Sequence, residues 1–216
     1  NIQGGAIYVN GINATINGSQ FDTCSVDSPG SEGGAIYIKG ENTTVEGSNF
    51  INSTSVLNGG AIYINGLNAT VKDSNFTYSS VTGNSGTPSG GAIYIQEDYA
   101  SIEGSIFKHS TVPNSIGQGG TIFIDGNHTI IKSSVFESSS AKIGGTLYLE
   151  GNNCTVSDSS FNDSYAKTNG GAMYSTGSNS TVSNSNFTNN LAEESGGALY
   201  WFGGAHSKYN TVDGCI

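Results

Sequence analysis

A chain of 216 residues with 32 glycines, only 11% charged side chains and a net charge of −10 is unlike an ordinary globular domain. It has no arginine, so it lacks the cations that displace counterions from nucleic acid, and its acidity equally opposes docking on an anionic membrane surface. No apolar run approaches the ~20 residues of a membrane-crossing helix, so no direct membrane insertion is expected of this stretch.

One sentence of sequence recurs eight times. Gly-Gly pairs stand at Gly4-Gly5, Gly33-Gly34, Gly59-Gly60, Gly90-Gly91, Gly119-Gly120, Gly144-Gly145, Gly170-Gly171 and Gly196-Gly197. Self-similarity at a period of 25 to 31 residues is the mark of a solenoid. Each pair opens a predicted short strand, beginning with Ile7–Val9 and repeated as Ile36–Ile38, Ile62–Ile64 and onward. Eleven positions after the second glycine comes a β-branched residue: Ile16, Val45, Val71, Ile102, Ile131, Val156 and Val182. Five further on stands Phe21, Phe50, Phe76, Phe107, Phe136, Phe161 or Phe187. The segment from Gly-Gly to Phe has constant length and carries the stacked structure; the connection to the next pair varies in length and reads as surface loop.

Taken in chain order, the first three repeats are regular and punctuated by Gly11, Gly40 and Gly66, where a corner with positive φ is expected. The fourth departs, with Gln96-Glu97-Asp98-Tyr99 in place of the corner glycine. The fifth to seventh return to pattern through Gly126, Gly151 and Gly177. The eighth carries Trp201-Phe202 and delays its β-branched residue to Val212. Helix fits none of this, because paired glycines and β-branched residues cut the chain into pieces of three to five residues. The expected fold is all-β: a right-handed single-stranded parallel β-helix of about eight rungs, three short strands per rung, spanning residues 1–216 as one domain. The chain opens and stops in mid-pattern, which reads as part of a longer solenoid.

Alternation along a strand assigns the columns. The files headed by Ile7, Val9, Ile16 and Phe21 are placed inward. Four large apolar side chains per rung contribute about 6–12 kcal/mol, whereas ordering ~26 residues costs several times more. A single rung therefore cannot fold alone, and stacking must supply the rest. Ser19, Ser48, Ser74, Ser105, Ser134, Ser159 and Ser185 form a ladder of hydroxyls. Cys24, Cys154 and Cys215 fall in rungs too far apart for a disulfide and are expected as three free thiols.

Catalysis is not expected. Glycoside cleavage needs two carboxyl groups ~5–9.5 Å apart across one sugar, and the adjacent acids Glu97-Asp98 and Glu193-Glu194 point apart on a strand. His109, His128 and His206 occupy different rungs and columns, so no metal site and no cofactor is expected. Two features invite a binding role. The column Tyr8, Tyr37, Tyr63, Tyr94, Phe123, Tyr148, Tyr174 and Tyr200, extended by Trp201, is expected to form an exposed aromatic strip on the outer face. The alternatives are a self-stacking shield over the sheet and an inverted register. The long connections Cys24–Glu32, Ser79–Ser89 and Ser110–Gln118 emerge along one edge, where recognition is commonly carried, or reflect length drift. Eleven Asn-x-Ser/Thr triplets occur, five in one column at Asn13, Asn42, Asn68, Asn153 and Asn179, as candidate glycosylation positions of an extracellular protein.

The repeat Gly-Gly-Ala-Ile-Tyr … Asn-x-Thr-Val-x-x-Ser-x-Phe resembles the adhesin-like β-helix proteins of methanogenic archaea. It is similar also to the chlamydial polymorphic membrane proteins, defined by Gly-Gly-Ala-Ile and Phe-x-x-Asn. The second motif departs here, because its last position is Cys24, Ser53, Ser79, Ser110, Ser139 and Ser164, and asparagine only at Asn190. Both resemblances imply a right-handed β-helix displayed on the cell surface for adhesion, and carry over neither a catalytic residue nor a ligand; the expected function is non-enzymatic binding of a glycan or a surface protein of another cell. A passive stalk and a carbohydrate-active β-helix enzyme are the alternatives.

Overall fold

The computed structural model describes residues 3–113, 115–203 and 209–216. His206 therefore lies outside the described residues. Every strand pairing is parallel, and each rung lies in register on the next. The third rung shows the plan: Ile62–Ile64, Thr70–Lys72, Asn75–Thr77, and then a fourth strand, Ser80–Val81, which the sequence reading did not contain. First strands form an eight-stranded sheet, second strands another of eight, and third strands one of seven. The fourth strands form two separate sheets, of two and three strands. The molecule is a parallel β-solenoid of about eight turns. At ~4.8 Å per rung, the stack is about 34 Å long.

The core is one continuous file system. Ile36, Ile38, Val45 and Phe50 are fully buried together in the second rung, and their equivalents repeat through the rod. The phenylalanines stack face to face with centroids 4.5–4.9 Å apart. The inward placement of the Ile, Val and Phe columns therefore holds.

Four residues per rung turn the chain by adopting the left-handed conformation. In the third rung these are Gly59, Asn68, Asp73 and Tyr78, with φ of 61°, 56°, 50° and 57°. A side chain there costs about 1–2 kcal/mol, least for Asn and Asp, whose short side chains bond locally. Corner residues offset the cost by stacking on their neighbours along the axis. Asn42 Nδ2 donates to Asn13 Oδ1 at 3.1 Å, and Asn68 Nδ2 to Asn42 Oδ1 at 2.9 Å. Where the asparagine is replaced, rings take over, as in the stacked pairs Tyr99–His128 and Tyr78–His109.

The glycine columns divide into two physical classes. Gly66 and its equivalents do not carry the positive φ expected of them; that conformation falls two residues later, on Asn68. What they supply is closeness, since a Cβ on Gly66 would lie 2.2 Å from the Gly40 carbonyl oxygen. In the Gly-Gly pair both properties are needed. Gly59 is left-handed, and a Cβ on Gly60 would meet the Gly91 oxygen at 2.0 Å and the Ser80 oxygen at 2.6 Å. The fourth strand thus closes its own coil against the second glycine. The serine ladder also differs from a chain of hydroxyls: the Ser48 amide donates to Ser74 Oγ at 3.2 Å, while Ser74 Oγ donates to the Lys72 carbonyl at 2.8 Å.

These contacts set an order of sensitivity. Gly60→Ala is expected to cost at least about 3 kcal/mol, because the new methyl meets backbone. Gly18→Ala, left-handed but with open space around its Cβ position, is expected to cost about 1–2 kcal/mol. Urea denaturation of the two variants checks the ranking, and equal losses would contradict the closure described here.

Candidate functional site

The aromatic column lies outside the hydrophobic core cluster, on the opposite face of the first-strand sheet from Ile36 and Ile38. Its eight rings stack in one ladder with centroids 4.9–5.4 Å apart. Exposure, however, is not what the sequence suggested. Tyr37 is 4% exposed and Tyr63 5%; Phe123 and Tyr148 are also buried, and only the end ring, Tyr8, reaches 47%. Each interior ring has both faces covered by its neighbours, and polar side chains reach the hydroxyls at the edges. Asn65 Nδ2 donates to the Tyr37 hydroxyl at 3.2 Å, and the Tyr63 hydroxyl donates to Gln96. Burial pushes the phenols of Tyr63, Tyr94 and Tyr148 well above the ordinary tyrosine range. The same desolvation raises the carboxyls of Glu32, Asp125 and Glu150, which border the ladder.

Trp201 does not extend this strip. It pairs in register with Ser175, in the inward column headed by Val9, and packs against the core. Adjacent strand residues face opposite sides, so Tyr200 and Trp201 cannot share a face. Small Ser175 leaves room for the indole beside it.

The asparagines at positions 13, 42, 68, 153 and 179 are exposed and left-handed. Threonine two residues later opens the outward side of the second strand, as Thr70 does in the third rung. Backbone conformation and strand preference thus generate the Asn-x-Thr column by themselves. Asn42 and Asn68 also hold their side-chain nitrogens in the axial ladder.

The long connections of rungs one, three and four do share one edge, that of the fourth strands, which rungs one and four join through isolated bridges at Ser25 and Thr111. Residues 84–87 are exposed, whereas Val26, Val81 and Val112 tuck inward. Next to them stands the Tyr78–His109 stack, with Tyr78 54% exposed. The corner position of this pair carries no special signal in sequence, because asparagine, threonine, serine and aspartate occupy it in other rungs. Among the described residues there is no group of three or more His, Cys, Asp or Glu able to hold a metal ion. Cys24, Cys154 and Cys215 are free thiols; burial pushes the Cys154 thiol up to about 11.

The family model of the Chlamydia polymorphic membrane protein repeat matches residues 78–96 and 184–200. Both stretches run from the corner beside the third strand, through the variable connection and Gly-Gly, into the next first strand. The second contains Phe187 and Asn190, the one complete Phe-x-x-Asn. In the structure Asn190 ties two rungs together, its Oδ1 accepting from the Ser164 amide at 3.0 Å and its Nδ2 donating to the Phe161 carbonyl at 2.9 Å. No curated protein and no solved structure matches the chain. The fold and the matched repeats define a repeat β-solenoid akin to the polymorphic membrane protein repeat.

The buried phenols yield a pH dependence. The folded rod holds these protons more tightly than the unfolded chain, so this contribution is complete below about pH 10 and is lost as pH rises beyond it. The melting temperature is expected to fall above that pH, with phenolate absorbance from the strip appearing only on unfolding. Ionisation of all 11 tyrosines near pH 10 in a still-folded rod would contradict the buried strip.

Proposed function

We propose that the chain is the rod of a cell-surface, adhesin-like β-helix protein that binds a glycan or surface protein of another cell without catalysing a reaction. Such a rod needs no pocket. It needs rigidity and a side on which chemistry varies from rung to rung. The carrying observation is the contrast between the repeated faces and the edge of rungs three and four. There the exposed residues 84–87 stand beside the exposed Tyr78–His109 stack, a pairing of long connection and aromatic corner that the other exposed ring stack, Tyr99–His128 between first and second strands, does not have. Exposed aromatic groups beside connections of variable length are the usual anchors of recognition. The likeness to the polymorphic membrane protein repeat supports surface display, and the Asn, Ser and Thr-rich repeats, which resemble those of archaeal adhesin-like proteins, agree with it. Tyr37, Tyr63, Tyr94, Phe123 and Tyr148 serve mainly to weld rungs together, since their ring faces are spent on each other.

A passive stalk is the second reading, favoured by the small polar side chains that cover most outward positions. The two separate on one experiment. Residues 82–89 are replaced by the two-residue connection found at Lys142-Ile143, and separately Tyr78 and His109 are changed to Ser. Binding of each rod to whole cells and to a glycan array is then measured, with circular dichroism as the folding control. At least a tenfold loss of binding is expected for both variants. Undiminished binding, or no binding by the parent rod, would sink the recognition edge, and breakdown of a polysaccharide would overturn the non-enzymatic reading.

A further inference from the structure

The corner between third and fourth strands carries a column of small polar residues: Cys24, Ser53, Ser79, Ser110, Ser139, Ser164 and Asn190. Two of its hydroxyls are paired across the coil, Ser139 Oγ with Thr121 Oγ1 and Ser164 Oγ with Thr146 Oγ1, each at 2.6 Å. In rungs two, three and four the threonine position is taken by Ala35, Ala61 and Ala92. The facing hydroxyls of Ser53, Ser79 and Ser110 are completely buried and have no protein partner. A stranded buried hydroxyl costs about 1–3 kcal/mol. Three in consecutive rungs would consume a large share of the roughly 5–15 kcal/mol by which a domain is stable.

We infer that Ser53, Ser79 and Ser110 each bind one water molecule, forming an internal file of three at the spacing of the rungs. The internal comparison supplies the space. Alanine vacates a hydroxyl and a methyl relative to threonine, against a water's share of about 30 Å³. It also supplies a second partner. In rung seven Asn190 Oδ1 accepts from the Ser164 amide above it. The amides of Cys24, Ser53 and Ser79 have only a serine beneath them. A water held by Ser79 Oγ takes the place of that amide oxygen under the Ser53 amide, and the same relation repeats one rung up and one rung down. Neighbouring ladder carbonyls, each with a spare lone pair, can accept its remaining hydrogen. The site is closed, uncharged and small, so water is the ligand it fits. Its fourth-rung member, Ser110, stands at the break in the fourth-strand sheet, where Thr111 makes only isolated bridges to Ser80 and Ser140, while Ser53 and Ser79 lie behind the paired strands Thr54–Ser55 and Ser80–Val81.

A high-resolution crystal structure tests this directly. Density is expected about 2.7–3.0 Å from the hydroxyls of Ser53, Ser79 and Ser110, and none of that kind at Ser139 or Ser164. Ser79→Ala provides an independent sign test. A hydrated hydroxyl makes the variant less stable, lowering Tm by about 2–4 °C, whereas a stranded one makes it more stable. Ala92→Thr is expected to clear the density at Ser110 alone and raise Tm by a similar amount. Absent density at the three serines, or a rise in Tm on Ser79→Ala, would overturn the inference.

Discussion

Backbone must lie on backbone at every closing point of this molecule, with no side chain between. In the first seven pairs the second glycine meets the carbonyl of the next rung and the backbone that closes a coil beside it, at distances no Cβ tolerates. The constraint fixes the width of the coil and the height of one rung on the next. Once both are fixed, each residue type falls above its equivalent, and the rest of the structure becomes a set of ladders. Phenylalanines fill the inside, tyrosines cover one outer face, and serines and asparagines tie the corners.

Ladders stabilise, but they consume the groups that make them. A tyrosine stacked on both sides keeps only its edge and hydroxyl for a ligand, and here amide side chains reach those hydroxyls too. Side chains free to meet a ligand are therefore left where the ladder is broken. The Tyr78–His109 corner and the long connections beside it are such a place, and so is the interruption of the fourth-strand sheet at Thr111. Regularity builds the rod, and irregularity leaves chemistry free.

Much of the architecture could be read from spacing alone, because a 16-residue interval between Gly60 and Phe76 that recurs without change admits few explanations. The inward Ile, Val and Phe columns followed from alternation. Other elements were hidden for physical reasons. Ser80–Val81 is two residues long and sits in a stretch of variable length, so no periodicity marks it. Trp201 was misplaced because neighbouring aromatic residues look like one patch in sequence, while the strand sends them to opposite faces. The Asn68 column has a structural source besides any modification signal, because a left-handed corner and a β-strand start independently favour asparagine and threonine. Shielding of Tyr63 depended on Gln96, thirty-three residues away, which only the stacked fold brings near.

Spin-label distances along one outward column give the most direct test of in-register stacking. Gln20 pairs with Asn49, and the same file continues through Asn75, Ile106, Val135, Ser160 and Asn186. Labels at Gln20 and Ser160, five rungs apart, are expected about 24 Å from each other, and labels at Gln20 and Asn186 about 29 Å. An increment of one rung height between the two pairs supports the stacked coil; equal distances, or broad distributions without that step, would contradict it.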